Sequence, residues 1–305
     1  MNLLVRSAGW YWQHGVVLKD GSEKDINTIA DLEDFKRTTE LVHGGTTDVT
    51  KREEILNRIK PILKTNECKR NVVEILSDAD IEYHVFYSGI IRYKIQNEKR
   101  ENASYYYHDN SGNIHSIGKY ELKKITNRFG RDYRDKLDSS NIYLIDVRNL
   151  ENYQKGDIKF NLKMNPGTNR FFMNDVTIAS FIGAMLDCSY SDFIFNGFSD
   201  DLGNSIGGSE SHKNGMNGDL RYLRKDKSGK NVHLSLVSET GDPCGWKGMD
   251  EKRQNAFNDA LYKYGWKSML SWRYNGKILN HSIHYIDHHH HLHVQSFNPT
   301  LKNIK

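Results

Sequence analysis

The stretch IHYIDHHHHLHVQSF, residues 283–297, joins a run of four histidines to the alternating pattern of a β-strand. Half of the chain's 14 histidines lie within it or just before it. Alternate side chains of a strand share one face of the sheet, so Leu292 and Val294 are expected to face a core. His291 and His293 would then face the opposite side together. A histidine run that continues into such a strand is not typical of a purification tag.

Composition argues for a folded chain. Its 305 residues fit one large domain or two ordinary ones, and an aromatic content of 11% argues against disorder. A net charge of +4 mildly favours anionic partners such as cell wall or nucleic acid. The 3 cysteines are too few and too scattered for a disulfide framework or a cysteine zinc site. We found no signal peptide and no membrane span, so we expect a soluble protein made in the cytoplasm and not inserted in a membrane.

The N-terminal part, residues 1–140, is predicted to be an α+β domain of unknown fold. A capping-box pattern at residues 50–53 precedes an apolar helical stripe. Residues 83–95 and the tyrosine-rich stretch after them are typical of strands, and the turn-rich residues 108–115 indicate a hairpin. The charged, glycine-containing residues 127–141 form the expected boundary.

The C-terminal part, residues 141–305, is predicted to be a second α+β domain. Asn174 or Asp175 is expected to cap one amphipathic helix and Asp250 another, which Gly265 ends. Strands are expected at residues 143–147, 193–198 and 266–274 and in the histidine segment. This order predicts a small antiparallel sheet with flanking helices.

Residues 209–220, SESHKNGMNGDL, supply candidate metal ligands. His212 and Asp219 are seven residues apart with Gly215 between them, and glycine allows the backbone to curl so that two side chains converge. Imidazole and carboxylate are ligands that zinc accepts. Together with the His291 and His293 pair, they predict a site with three protein ligands and an open position for water, which is the catalytic pattern.

The spacing HxxGxxxD followed much later by HxH resembles the zinc peptidases of the lysostaphin/D-Ala-D-Ala-peptidase/hedgehog fold. Within that group it is most similar to the penicillin-insensitive murein endopeptidases and the D-Ala-D-Ala carboxypeptidases. FIFNGFSDD, residues 193–201, also resembles the strand and turn that precede the first ligand in that group. The resemblance covers roughly residues 145–297 and leaves the N-terminal part without a counterpart.

The resemblance implies roles for individual residues. His212, Asp219 and His293 would be the zinc ligands, and His291 would be the catalytic histidine. His288 would be a second helper, although a regular strand would place it on the opposite face from the metal.

The chain departs from the family pattern at three positions. His290 stands where the dipeptidases have a glutamate, which favours the endopeptidase variant. Glu210 replaces a usual serine and Asn217 a usual small residue, and both changes are expected to affect substrate choice more than metal binding.

By this resemblance the chain would be a zinc-dependent peptidoglycan peptidase, an endopeptidase or carboxypeptidase that cuts an amide in stem peptides or cross-links. A phage lysis enzyme or an injected antibacterial effector would act in the periplasm or cell wall after non-classical export. Residues 1–140 would serve delivery or wall targeting. An immunity protein or a component of a secretion machine would be its partner, and nucleic acid would not.

Two other functions fit parts of the pattern. A metal-dependent nuclease of the His-hydrophobic-His type would use His291 and His293, but it would leave His212 and Asp219 unexplained and would favour a more basic surface. A non-catalytic zinc-binding or wall-binding module would use the same ligands without cutting.

Overall fold

The computed structural model describes residues 78–207, 209–237 and 245–304, with short pieces at 16–17, 23–24, 50–51 and 54–55. The chain divides into a unit of residues 1–76 and a unit of residues 77–305. In the first unit, Val16–Val17 pairs antiparallel with Glu23–Lys24, and the pieces after residue 49 are helical. Most of the helix predicted after residue 50 lies outside the described residues.

The described residues form a mixed α+β structure, which confirms the predicted class. In chain order the strands are β1 (Val16–Val17), β2 (Glu23–Lys24), β3 (Ile81–Phe86), β4 (Ile90–Ile95), β5 (Asn102–His108), β6 (Ile114–Glu121), β7 (Lys123–Thr126), β8 (Asn141–Asp146), β9 (Tyr153–Lys155), β10 (Ile158–Phe160), β11 (Leu162–Met164), β12 (Phe172–Asn174), β13 (Phe193–Gly197), β14 (Gly218–Leu220), β15 (Trp266–Ser271), β16 (Ser282–His284), β17 (Leu292–Phe297) and β18 (Thr300–Asn303), and the helices are α1 (Asp175–Cys188) and α2 (Glu251–Lys263). Among the described helices, none has both the length and the apolar character needed to cross a membrane.

The largest sheet has six strands in the order β11-β13-β14-β17-β15-β16. Its four central strands are antiparallel, as predicted. The prediction is wrong at both edges, where β11 runs parallel to β13 and β16 runs parallel to β15. The chain connection explains the parallel pair at the first edge. Helix α1 lies between β11 and β13 in the chain, and such a helical crossover returns the chain to the same end of the sheet, so that the two strands run in the same direction.

Strand β17 lies at the centre of this sheet, between β14 and β15. Leu292 and Val294 are completely buried in the core, as the alternating pattern predicts. Burial of these two side chains fixes which face of the strand carries the histidines, because a shift of one residue would exchange the two faces.

A second sheet has five strands in the order β18-β4-β3-β5-β6. Residues 83–95 are strand-forming, as predicted, but they form two strands, since the chain turns at Tyr87–Gly89 and makes the antiparallel hairpin β3–β4. Gly89 adopts a φ of 88°, a conformation that the turn requires and that glycine accepts without strain. The predicted hairpin at residues 108–115 is confirmed, with His108 opposite Ile114.

Helix α1 begins at the predicted cap. The Asn174 side chain accepts hydrogen bonds from the backbone N–H groups of Val176 and Thr177. Nearly all residues of helix α1 are buried, which is typical of a helix packed on all sides. Helix α2 is also capped as predicted, by Asp250, and Gly265 follows its end.

The two sheets share one core with helix α1. Tyr83 and Tyr105 of the five-stranded sheet donate hydrogen bonds to the Asp175 carboxylate at 2.6 Å and to its backbone carbonyl at 2.9 Å. Phe181 of the helix packs against Phe195 of the six-stranded sheet, with ring centroids 5.0 Å apart. The described residues before and after position 140 therefore pack together, while separate roles for residues 1–140 and 141–305 stay a prediction.

Candidate metal centre

Gly215 holds the loop that carries the first candidate ligand. It has a φ of 64°, and a Cβ at this position would lie 2.6 Å from Met173 Cα and 2.7 Å from the Asn174 backbone nitrogen. Both atoms belong to backbone that cannot give way easily. The glycine of the HxxGxxxD pattern is thus required by the close approach of this loop to the start of helix α1.

Residues 127–141, which were predicted to form the domain boundary, also hold the loop that carries His212. Asn214 donates hydrogen bonds from Nδ2 to Asn127 Oδ1 at 3.0 Å and to the Tyr133 carbonyl at 2.7 Å. Asp135 of the segment accepts a 2.5 Å hydrogen bond from the Asn174 side chain. This stretch therefore positions the metal loop.

The other two candidate ligands come from neighbouring strands. Asp219 on β14 lies directly opposite His293 on β17 in the antiparallel register. Asp219 Oδ1 lies 2.8 Å from His293 Nδ1, and His212 Nε2 lies 3.2 Å from each of these two atoms. The sheet register and the glycine loop thus bring the three predicted ligand atoms to one point.

The triangle formed by these three atoms has the size of a metal site. A tetrahedral zinc ion with bonds of about 2.0–2.1 Å separates its ligand atoms by roughly 3.3 Å. All three residues are buried, and they are the one group of metal-binding geometry among the described residues. This buried group of His212, Asp219 and His293 can hold a metal ion.

The protonation of the site favours a cation. His212 Nδ1 lies 3.0 Å from the Phe198 carbonyl, and in the tautomer with the proton on Nδ1 this nitrogen donates to the carbonyl while Nε2 offers its lone pair to a metal ion. Burial lowers the pKa of His212, which keeps the imidazole neutral. Burial acts to raise the pKa of Asp219, but the contacts with His212 and His293 outweigh it and hold the pKa well below its usual value. A buried carboxylate that stays ionised therefore lies beside two imidazoles, and this arrangement attracts a cation.

Arg170 is a site residue that the sequence did not reveal. Its guanidinium lies 3.0 Å from His212 Nδ1 and donates a hydrogen bond of 3.3 Å to Asp219 Oδ2. It comes from the turn before β12, where Thr168 Oγ1 accepts a hydrogen bond from the Arg170 backbone. No spacing pattern connects this turn to the ligands, so only the folded chain brings the cation to the site.

His291 lies beside the ligands, as predicted. Its Nε2 is 3.5 Å from Asp219 Oδ1, and its side chain is largely buried. Burial lowers the pKa of His291 to about 3, so the imidazole is neutral at physiological pH.

His288 also reaches this site, which a regular strand would not allow. The chain turns before β17, with Asp287 at a φ of 64°, and the His288 ring lies 4.6 Å from the His291 ring and 5.7 Å from the His293 ring. Its Nδ1 donates a hydrogen bond of 2.7 Å to the Ile286 carbonyl. The bend that the prediction required for His288 is therefore present.

The other two histidines of the run, His289 and His290, have different surroundings. His290 lines the same cleft and its ring lies 4.6 Å from that of His291. His289 turns away and packs beside His233, with ring centroids 5.3 Å apart, and beside Trp272. His290 is therefore a neighbour of the candidate catalytic residue, as its place in the pattern suggested.

The two departures at the edge of the site have different surroundings. Glu210 is exposed and lines the cleft, whereas Asn217 donates a hydrogen bond of 2.7 Å to the Ser211 carbonyl. Ser211 Oγ lies 3.3 Å from His293 Nε2. Asn217 thus shapes the loop around a ligand, and Glu210 is placed to meet whatever enters the cleft.

Asp219 and His293 line an open cleft of about 740 Å³, and His212 lies next to both of them. Arg170, Glu210, Tyr285, His288 and His291 are among its lining residues. A neutral base, an arginine and a metal-binding group at the end of one cleft can together activate water and stabilise an oxyanion. No known family model, curated protein or solved structure matches this chain.

Proposed function

We propose that the chain is a zinc-dependent peptidase that hydrolyses an amide bond in peptidoglycan stem peptides or cross-links. The observation that carries the proposal is the convergence of His212 Nε2, Asp219 Oδ1 and His293 Nδ1 within 3.2 Å of one another, with His291 beside them in an open cleft. Three ligands from two histidines and one carboxylate suit zinc in a catalytic site.

Zinc bound to these ligands would supply a Lewis acid that polarises the amide carbonyl and lowers the pKa of water. The protein residues account for the remaining requirements. His212 and Asp219 are held by the Phe198 carbonyl and by Arg170, so their lone pairs stay aimed at one point. Arg170 also places a positive charge in the cleft, where it can stabilise negative charge that develops on the substrate oxygen.

His291 is the candidate for proton transfer. Its neutral imidazole accepts a proton from the attacking water and then donates it to the departing amine nitrogen. His288 lies against His291 and keeps its own Nδ1 proton on the Ile286 carbonyl, so its Nε2 is left as a second acceptor. Two neutral imidazoles beside the ligands thus provide a path for the proton.

The wider biology follows from the same proposal. A cell-wall substrate places the active protein in the periplasm or cell wall, reached as a phage lysis enzyme or as an injected effector. An effector of this kind requires an immunity protein in the producing cell, and residues 1–140 are the candidate for delivery or targeting.

Digestion of purified peptidoglycan by the zinc-loaded protein tests the proposal. Mass spectrometry of the products should show, for each amide cut, a new carboxyl group on one fragment and a new amino group on the other, with the elements of one water added. His291→Ala should release these products about 10²–10⁴-fold more slowly, and His281→Ala, which changes a histidine outside the cleft, should release them at the wild-type rate.

Two other experimental results would contradict the peptidase function and identify a different one. Cutting of single-stranded DNA that survives Asp219→Ala would identify a nuclease that uses His291 and His293. Retention on peptidoglycan with no released peptide would identify a binding module.

A further inference from the structure

A second groove opens beside the metal cleft. It has a volume of about 530 Å³ and is lined by residues 131–134, Lys136, Met216 and residues 296–298. Asn217 and Gln295 complete its lining. The groove therefore lies along β17, which carries His293, and next to the residue that precedes β14.

Gln295 joins the groove to the cleft. It lines both volumes, and it follows His293 by two residues on β17. Side chains two residues apart on a strand leave the same face, so Gln295 extends the row that begins with His291 and His293. The cleft and the groove therefore adjoin at Gln295.

The groove is basic. Arg131, Arg134 and Lys136 are exposed along one wall, and Asp132 is the one carboxylate among the lining residues. None of the three cations forms an ion pair with a carboxylate in the part of the chain that the structure describes. Asp135 is buried and accepts a hydrogen bond from Asn174, and its charge acts on Lys136, so Arg131 and Arg134 are the two cations that the groove leaves for a ligand.

We propose that this basic groove binds carboxylate groups of the peptide substrate that lie to one side of the scissile amide. The inference rests on the proposed peptidase function. Guanidinium groups present paired N–H donors that match a carboxylate, and Arg131 and Arg134 supply two of them within four residues. A groove of this volume suits a short peptide segment better than a wide polymer surface. The substrate class is therefore a stem peptide with free carboxylates, as distinct from one whose carboxylates are amidated.

Two synthetic stem peptides of identical sequence test the inference. One carries free carboxylates and the other carries primary carboxamides at the same positions. The zinc-loaded wild type should bind and cleave the free-carboxylate peptide with a Kd and a KM about tenfold lower, because two partly exposed ion contacts together contribute a factor of about this size. Titration calorimetry gives the Kd, and peptide release gives the KM and kcat.

Arg131→Ala/Arg134→Ala is the decisive variant. It should lose the preference between the two peptides in Kd and KM, with a zinc content close to wild type. The matched control is Lys155→Ala/Lys252→Ala, which removes two exposed cations outside both the groove and the cleft and should keep the preference. Addition of about 0.5 M salt should weaken the wild-type preference, because salt screens exposed charges.

The outcomes separate the groove from the peptidase function. Equal binding of the two peptides by the wild type, or a preference that survives in the groove variant, overturns the groove while cleavage leaves the peptidase standing. A preference in Kd that the groove variant loses, without cleavage of either peptide, supports the groove and overturns the peptidase. Binding of a DNA oligonucleotide that needs Arg131 and Arg134, with no preference between the peptides, overturns the inference in favour of nucleic acid.

Discussion

Asp219 and His293 lie directly opposite each other on adjacent antiparallel strands, with Asp219 Oδ1 2.8 Å from His293 Nδ1. Opposed residues in such a pair bring their side chains within reach of each other, so two of the three candidate ligands depend on the register of β14 and β17. The buried side chains of Leu292 and Val294 hold that register. The metal centre is therefore a product of sheet pairing, and the glycine loop adds the third ligand to it.

Gly215→Ala should lower the free energy of unfolding by about 1–3 kcal/mol, since a methyl group there meets the backbone of Met173 and Asn174 at a strained φ. Urea unfolding measures the loss. Gly207→Ala is the control, because Gly207 also has a positive φ but has open space where the methyl group would lie. Equal losses in the two variants would contradict the packing explanation.

Tyr83→Phe should destabilise helix α1 by about 1–3 kcal/mol, because it removes the hydroxyl that donates to the buried Asp175 carboxylate. Hydrogen exchange should become faster in α1 as well as in β3. Tyr87→Phe, at an exposed position in the β3–β4 turn, should leave both unchanged. Faster exchange confined to the five-stranded sheet would argue against a shared core.

Asp109 should make stability depend on pH in the acid range. Burial acts to raise the pKa of Asp109, but hydrogen bonds from His115 and Asn113 outweigh it and lower the pKa to about 2. A lowered pKa means that this stabilisation is complete above the ordinary value of 3.8 and is lost as the pH falls through about 2.

The variant Asp109→Asn tests this pH dependence. Its free energy of unfolding should be about 1 kcal/mol below wild type above pH 4, and the two curves should converge toward pH 2. Asp157→Asn, at an exposed position, should follow the wild-type curve. A constant difference at every pH would contradict the charge-based explanation.

The strand pattern around Leu292 and the capping residues Asn174 and Asp250 predicted structure well, because side-chain alternation and helix capping are local properties. The same locality explains the errors. The turn at Tyr87–Gly89 inside an apolar stretch was missed because β-branched and aromatic residues continue on both sides of it. The parallel edge strands were missed because strand direction depends on where a crossover returns.

The candidate site was predictable to the extent that motif spacing encodes it. His212, Asp219 and His293 meet as the spacing indicated, and His291 lies beside them. Arg170 could not be predicted, because it reaches the ligands from a turn with no motif of its own. The bend that brings in His288 depends on backbone angles that the histidine run does not specify.

His291→Ala should retain the bound metal and lose about 10²–10⁴-fold in kcat, the range expected for removal of a general acid–base. KM should change little, because His291 acts on the proton and does not hold the peptide. His281→Ala, which removes a histidine paired with Asp259 outside the cleft, should keep full activity. Equal activity of the two variants would show that His291 has no part in the chemistry.

The most direct measurement is the metal content of purified wild type, His212→Ala and Asp219→Ala, with His284→Ala as a control. Mass spectrometry of the elements should find a single zinc ion bound to each wild-type and His284→Ala chain after dialysis, and almost none on the other two variants. Cleavage of stem peptides should disappear together with the zinc. A full complement of tightly bound zinc in both His212→Ala and Asp219→Ala would contradict the metal centre and the function built on it.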